Sequence, residues 1–457
     1  MLLSALLVSC TPGCNVDEAP QPLSASVRLS NTIPTVLVVS WEQAPKNGAV
    51  SVEWGETDAY GERTELGEGE TGEGTVVGLH AGQTVHWRLV VDDDGESLVT
   101  EDAELEAGFV PDDLPTLTVE QLSEPTGGAI LTSLIGGTPY AVIYDHEGYP
   151  VWWYGLDEEN AVFADTRVSP DGKGVLLQVM DGSRVTDMGA VLTVDWSGES
   201  VTETLLPGGH HAFLVHPDGT LAWCAMDVRD AVIDGVSHAV VGDAIRELAP
   251  GKVDAADVRT VWSSWDTLPT RADPDSDSGF YPEGLDWTHC NGLGYDSAAD
   301  AYLLSAFAIG SVVSVSRADG TQNWVLGGED NEFALEGGDG FTQAHSPEPH
   351  DGGFRLFSNR NGGGDEPLYS RVIDYEIDPE ALVATEVSGI SLNKKYFSYI
   401  LGDSNALDDD HLLISWGSTG TYTEVDASRA LVWTGSLPLG KIAGFAENVQ
   451  RMGGARE

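Results

Sequence analysis

The feature that most restricts how this chain can fold is a repeat: an apolar strand, an Asp/Gly turn, then a strand that often carries tryptophan. It recurs as "AVIYDHEGYPVWWY", "VLTVDWSGESVTETL", "AIRELAPGKVDAADVRTVWSSW", "VVSVSRADGTQNWVLGG", "RVIDYEIDPEALVATEV" and "TYTEVDASRALVWTGSL", starting near residues 141, 191, 244, 312, 372 and 421. A second hairpin unit precedes most copies, as in "SPDGKGVLLQ", "HPDGTLAWC", "DSAADAYLLSAF", "PHDGGFRLFSN" and "LDDDHLLISWG". Two such hairpins make a four-stranded sheet, and six sheets about one axis make a β-propeller over residues 125–457. The first copy lacks a strand, which the C-terminal "KIAGFAENVQRM" can supply to close the ring. Two stacked sandwiches are the competing arrangement.

No window carries a sustained 3.6-residue apolar period, and 54 glycines with 13 tryptophans favour short strands and tight turns. Residues 25–108 read as a separate β-sandwich, with "TVLVVSWE" (Trp41) and "VSVEWGE" as alternating strands. Its "GLHAGQTVHWRLVV" resembles the leucine-to-tyrosine corner of fibronectin type III domains, with Val85 and Trp87 near the aromatic position. Nothing in this stretch reads as catalytic: His80 and His86 are expected as strand or turn residues, and the unit as a spacer or docking module. "GFVPDDLPT" opens a linker over 109–124. The expected class is therefore all-β: a six-bladed β-propeller preceded by a fibronectin type III-like β-sandwich.

The net charge is −52, from 74 acidic against 22 basic residues spread along the chain. Phosphate contacts need clustered Lys and Arg, so nucleic acid is excluded as a partner. An anionic substrate would need a pocket locally neutral or cationic. The opening "MLLSALLVSC" resembles a bacterial lipobox, which implies cleavage of residues 1–9, acylation of Cys10, and a tether over 10–24. The run is shorter than a membrane span, so a lipid anchor in the cell envelope, periplasmic or outward-facing, is the expectation. Cys14, Cys224 and Cys290 remain; the last two pair only if the fold joins them.

Three copies of the repeat place a histidine at the entry to the strand before the turn: His211 in "GGHHAFLVHPDG", His289 in "DWTHCNGLGYD" and His345 in "FTQAHSPEPHDGG". The last copy has Asn405 there. Equivalent positions of successive blades converge on the axis, so these side chains, with Asn291, are expected to line one pocket. His210 should point away, and His216, His350 and His411 read as surface residues. Three histidines could hold zinc, but no carboxylate stands at matching register as a base. Imidazoles with an amide suit sulfuryl or phosphoryl transfer instead, with one ring nitrogen as nucleophile. "DPDSDSG" spaces Asp273, Asp275 and Asp277 like a calcium loop, without its distal Glu. "NRNGGGDEP" lacks the Lys of a phosphate loop.

"WTHCNGLGYDSAADAYLLSAFAIGSVVSVSRADGTQNWVLGG" and "FTQAHSPEPHDGGFRLFSNRNGG" resemble the PAPS-independent aryl-sulfate sulfotransferases, and the similarity runs over roughly 125–450. That family is a six-bladed propeller that moves a sulfuryl group between phenols through a sulfohistidine. The resemblance implies His345 as nucleophile, His289 and Asn291 as the pair holding sulfate oxygens, and His211 as a further pocket histidine. It implies aryl sulfates and phenols as partners, and no cofactor or metal. Two positions depart from the family's pattern. Phe307 stands where an arginine is usual, and Ser346 where an aspartate follows the nucleophile. Arg360 is the candidate replacement for the lost sulfate clamp. A non-catalytic propeller that binds a ligand or partner in the envelope is the alternative. A quinone-cofactor propeller is a third reading, without that group's metal-binding residues.

Overall fold

The chain is described by a computed structural model over residues 23–156, 161–181, 189–252, 255–273 and 284–455. Cys10, Cys14, Asp275 and Asp277 lie outside the described residues. Among those described, the fold is nearly all strand, and no helix is long and apolar enough to cross a membrane.

Residues 24–106 form two facing sheets. One joins Ser24–Leu29, Leu37–Glu42 and Thr71–Val76; the other is centred on Ala49–Gly55 and Thr84–Asp93. Alternation decides which side chains meet: Leu37, Val39 and Trp41 pack with Val50, Val52, Trp54, Val85, Trp87 and Leu89 in one apolar core. The unit is docked on the rest of the chain. Ile33, Val36 and Val77 share a core with Leu117, Trp152 and Trp196, Arg28 makes a two-pronged pair with Glu199 at 2.7 and 2.8 Å, and Gly454–Ala455 pairs with Thr71–Val76.

Among the described residues, the remaining strands make six antiparallel-dominated sheets, each presenting one edge strand to its neighbours. These are β1 (Ala161–Val168), β2 (Gly209–Val215), β3 (Cys290–Asp296), β4 (Ala344–His350), β5 (Asp403–Ala406) and β6 (Ile442–Val449). Each packs against the next, and β6 against β1, so the six form a closed ring. Closure uses both ends of the chain. β6 pairs with Ala129–Ile135 and completes the first sheet, while Thr118–Gln121 pairs with Leu431–Ser436 and adds an outer strand to the last. The stretch 109–124, read as linker, thus contains a strand. Trp152, Trp196, Trp223, Trp287, Trp416 and Trp433 are fully buried and fill the cores of and between the sheets. Several anchor their indole N–H on backbone, as Trp152 does on the Trp196 carbonyl at 2.9 Å.

Candidate active site

The ring strands do not run regularly past the axis. Register breaks between Phe163 and Asp165 in β1, Gly209 and Phe213 in β2, Cys290 and Gly292 in β3, and His345 and Glu348 in β4. Bulges of this kind re-aim side chains. At the same places His211, His289 and Ser346 hold φ of 55°, 54° and 46°, conformations that cost non-glycine residues on the order of 1–3 kcal/mol each. Gly292 answers a packing demand: a Cβ there would come within 2.6 Å of the Ser346 nitrogen on β4.

His345 is buried, 4% exposed, and clamped by two amides. Asn359 donates through Nδ2 to the Ser398 and Leu401 carbonyls at 3.0 and 2.6 Å, which turns its Oδ1 to His345 Nδ1 at 2.6 Å. Nδ1 therefore carries the proton and Nε2 the lone pair. On the other side Ser305 Oγ donates to Asn291 Oδ1 at 2.7 Å, so Asn291 presents its Nδ2 to His345 Nε2 at 2.9 Å. Burial holds the imidazole's pKa at about 3, against the opposing pull of the Asn359 oxygen. The result is a neutral, oriented imidazole whose free electron pair faces an N–H donor.

His211 and His289 stand beside it, ring centroids 4.9 Å apart. His289 Nδ1 lies 2.6 Å from Asp286 Oδ2. His211 Nδ1 lies 2.9 Å from His210 Nδ1, and His210 Nε2 lies 3.0 Å from Asp243 Oδ1. Burial first, then the neighbouring His289 and His210, hold His211 well below the usual imidazole range. Through its other oxygen, Oδ2, Asp243 accepts from the Cys290 N–H at 2.7 Å and from the Thr288 hydroxyl. Cys290 is bonded to Cys224, a disulfide that ties the sheet of β2 to β3 between His289 and Asn291. The sequence reading found no carboxylate at the histidines' register. The structure supplies two from elsewhere: Asp286, three residues ahead of His289, and Asp243, from the strand Val236–Leu248. His210 does turn from the axis, but into this network.

The structure brings His211, His289, Asn291 and His345 together and leaves Arg360 and Asn405 apart. Arg360 is exposed, and among the described residues no hydrogen bond or ion pair ties its guanidinium to the histidines. Its neighbour Asn359 takes the inward position. Asn405 bonds Asp403 and the Ala446 carbonyl farther along the axis. There a cavity of about 410 Å³ is lined by Asp165, Arg167, Glu348, Asp403 and Glu447. Burial lifts Glu348 and Glu447 to about 7. Phe307 occupies the site itself, its ring 5.5 Å from His289 and 5.4 Å from His345. Ser346 Oγ donates to the Gly402 carbonyl at 3.2 Å. His216, read as a surface residue, is buried with Nε2 2.6 Å from the Tyr302 hydroxyl. Among the described residues, the one set of potential metal ligands within 4.8 Å of one another is His80, Asp145 and Glu147, away from the ring histidines.

No curated protein sequence matches the chain. Among solved structures, a Bacteroides caccae protein of unknown function is 11% identical, with a TM-score of 0.42, over 71% of this chain and 100% of its own. A catalytically inactive virginiamycin B lyase from Staphylococcus aureus is 10% identical at 0.36, over 71% and 90%. A periplasmic gluconolactonase from Pseudomonas aeruginosa is 9% identical at 0.35, over 70% and 99%. Likenesses this loose say nothing about chemistry. The family model for arylsulfotransferase (ASST) matches residues 128–435, more than half of the chain. That span takes in the six fully buried tryptophans, both amides that clamp His345, and the three ring histidines. The chain belongs to the arylsulfotransferase family.

Proposed function

We propose that this protein transfers a sulfuryl group from a phenolic sulfate ester to a phenolic acceptor through a sulfohistidine at His345. The observation that carries the reading is the clamp on that ring: Asn359 Oδ1 accepts a hydrogen bond from Nδ1–H, and Nε2 keeps its lone pair towards Asn291. A neutral imidazole at neutral pH is the nucleophilic form. As Nε2 attacks sulfur it withdraws its pair from Asn291, whose Nδ2–H is then free to meet a sulfuryl oxygen. The donor is thus released where charge develops, the arrangement that favours the transition state over the resting enzyme. Phe307 between two imidazoles gives the aryl ring an apolar wall. Among the described residues the donors printed at His345 are neutral N–H groups, and these carry the sulfuryl oxygens.

In this reading the six sheets are the blades of a six-bladed propeller, the front unit is a fibronectin type III-like sandwich, and Cys10 anchors the chain in the cell envelope. The test is release of 4-nitrophenol from its sulfate ester with phenol as acceptor. Acceptor-dependent turnover by the wild type, lost in His345→Ala, is expected. A folded wild type inert towards several phenolic donors contradicts the reading.

A further inference from the structure

We propose that His80, Asp145 and Glu147 form a divalent metal site of zinc type, which clamps the front unit onto the first sheet of the ring. His80 follows the strand Thr71–Val76 of the front unit, while Asp145 and Glu147 sit in the turn between Tyr140–Tyr144 and Pro150–Gly155. One ligand atom of each lies within 4.8 Å of those of the other two. The site is separate from the ring histidines and independent of the transferase reading.

Single ion pairs do not account for the arrangement. His80 Nε2 lies 2.6 Å from Asp145 Oδ2 and 3.9 Å from Glu147 Oε2, so both carboxylates face one ring nitrogen. A protonated ring carries one hydrogen at that nitrogen, and Asp145 takes it. Glu147 is left facing a second carboxylate. His86, in the same unit, shows the ordinary alternative: Asp102 stands on Nδ1 at 3.0 Å and Glu104 on Nε2 at 3.6 Å, one acid to each nitrogen. Two carboxylates and one imidazole nitrogen turned to a common point are a metal's donor set.

The ligands are held from behind. The Tyr149 N–H donates to Asp145 Oδ1 at 2.9 Å and the Gly148 N–H to the Asp145 carbonyl at 3.0 Å, which fixes the turn and leaves Oδ2 towards His80. The His80 N–H donates to Gln83 Oε1 at 2.9 Å, and its ring lies against that of Tyr149, centroids 4.5 Å apart. Val77 of the front unit and Leu117 share one apolar core, and the Leu117 N–H donates to the Gly148 carbonyl at 2.8 Å. An ion bound there has little left to order, which lowers the cost of binding.

The donor set also selects the ion. Imidazole with carboxylates suits zinc and its neighbours, whereas calcium and magnesium take oxygen ligands. Around tetrahedral zinc, with bonds of about 2.0–2.2 Å, ligand atoms stand roughly 3.3–3.5 Å apart. The separations of 2.6 and 3.9 Å bracket that spacing. Asp145 has to open and Glu147 to close by less than about 1 Å, and the Glu147 side chain is 72% exposed and free to swing. On binding, the proton between His80 and Asp145 is released, the Nε2 lone pair goes to the metal, and water fills the fourth position.

The test is calorimetric titration of the full chain with Zn²⁺ in excess Ca²⁺, which occupies sites made of carboxylates alone. The wild type is expected to bind one more Zn²⁺ than His80→Ala or Glu147→Gln, or to bind it more than about tenfold tighter, since even groups behind the ligands are worth that much. Zinc taken up elsewhere is common to all three chains and cancels. Glu147→Gln alters only an exposed turn residue, so its loss of binding cannot be put down to a front unit that has come undocked. Zn²⁺ should also raise Tm more in the wild type than in either variant. Zinc binding unchanged in either variant, or no Zn²⁺ bound by the wild type in excess Ca²⁺, overturns the proposal.

Discussion

At the scale of single residues, the account turns on two asparagines that were not equally visible. Asn291 stands one residue from Cys290 in a stretch whose His-x-Asn spacing is plain. Asn359 hides next to Arg360 in "FSNRNGG", and a strand's side chains alternate, so reading the run one residue late exchanges an inward amide for an exposed guanidinium. Asp286 lay in view, three residues before His289, but only its parallel pairing with Val240–Val241 explains why it faces the ring. Asn291→Ala should lower kcat by about 10² to 10³ with little change in KM, because the donor serves the transition state. Steady-state kinetics with 4-nitrophenyl sulfate reads this, and a loss confined to KM would contradict it. Asn359→Leu leaves His345 Nδ1 buried without an acceptor and should cost about 1–3 kcal/mol of stability, read as a lower midpoint in urea, together with loss of turnover.

At the scale of elements, the repeat was legible because each turn carries its own chemistry: Asp145–Gly148, Asp195–Gly198, His216–Gly219 and Ser316–Gly320 all close backbone hydrogen bonds across Asp/Gly turns. The outer strand Thr118–Gln121 was not, because four exposed or half-buried residues beside a Pro/Asp run show no apolar pattern. The bulges were equally silent, since nothing in an apolar alternation marks an extra residue. The Cys224–Cys290 bond acts at this level. It joins strands separated by 66 residues beneath His289 and Asn291, and its loss from a loop of that length should cost about 4 kcal/mol. Reduction, or Cys224→Ser with Cys290→Ser, should lower Tm and depress turnover together, by scanning calorimetry and the phenol-release assay. Unchanged turnover in the reduced protein would show that β2 and β3 hold the histidines without it. Gly292→Ala should act similarly, through the 2.6 Å approach to Ser346.

At the scale of the whole molecule, charge and burial set the response to pH. Glu348 and Glu447 in the axial cavity have folded pKa values of about 7, above an unfolded value of about 4.3. Across that window the folded chain holds protons that the unfolded chain has released, so their contribution falls as pH rises. His345 works the other way. Its folded value of about 3 lies below about 6.5, so stability from this residue is lost as pH falls through that interval. Glu447→Gln should therefore raise Tm more at pH 8 than at pH 5, and a uniform change would contradict the assignment. The −52 charge adds repulsion that salt screens.

The central claim is that sulfuryl passes through His345, and the most direct measurement is to catch it there. The protein is mixed with 4-nitrophenyl sulfate without acceptor, quenched, digested and examined by mass spectrometry. The account predicts a burst of one 4-nitrophenol per chain and one sulfuryl group on the peptide containing His345, discharged when phenol is added and absent from His345→Ala. Turnover with no sulfuryl group on that peptide, or a burst that survives His345→Ala, would contradict it.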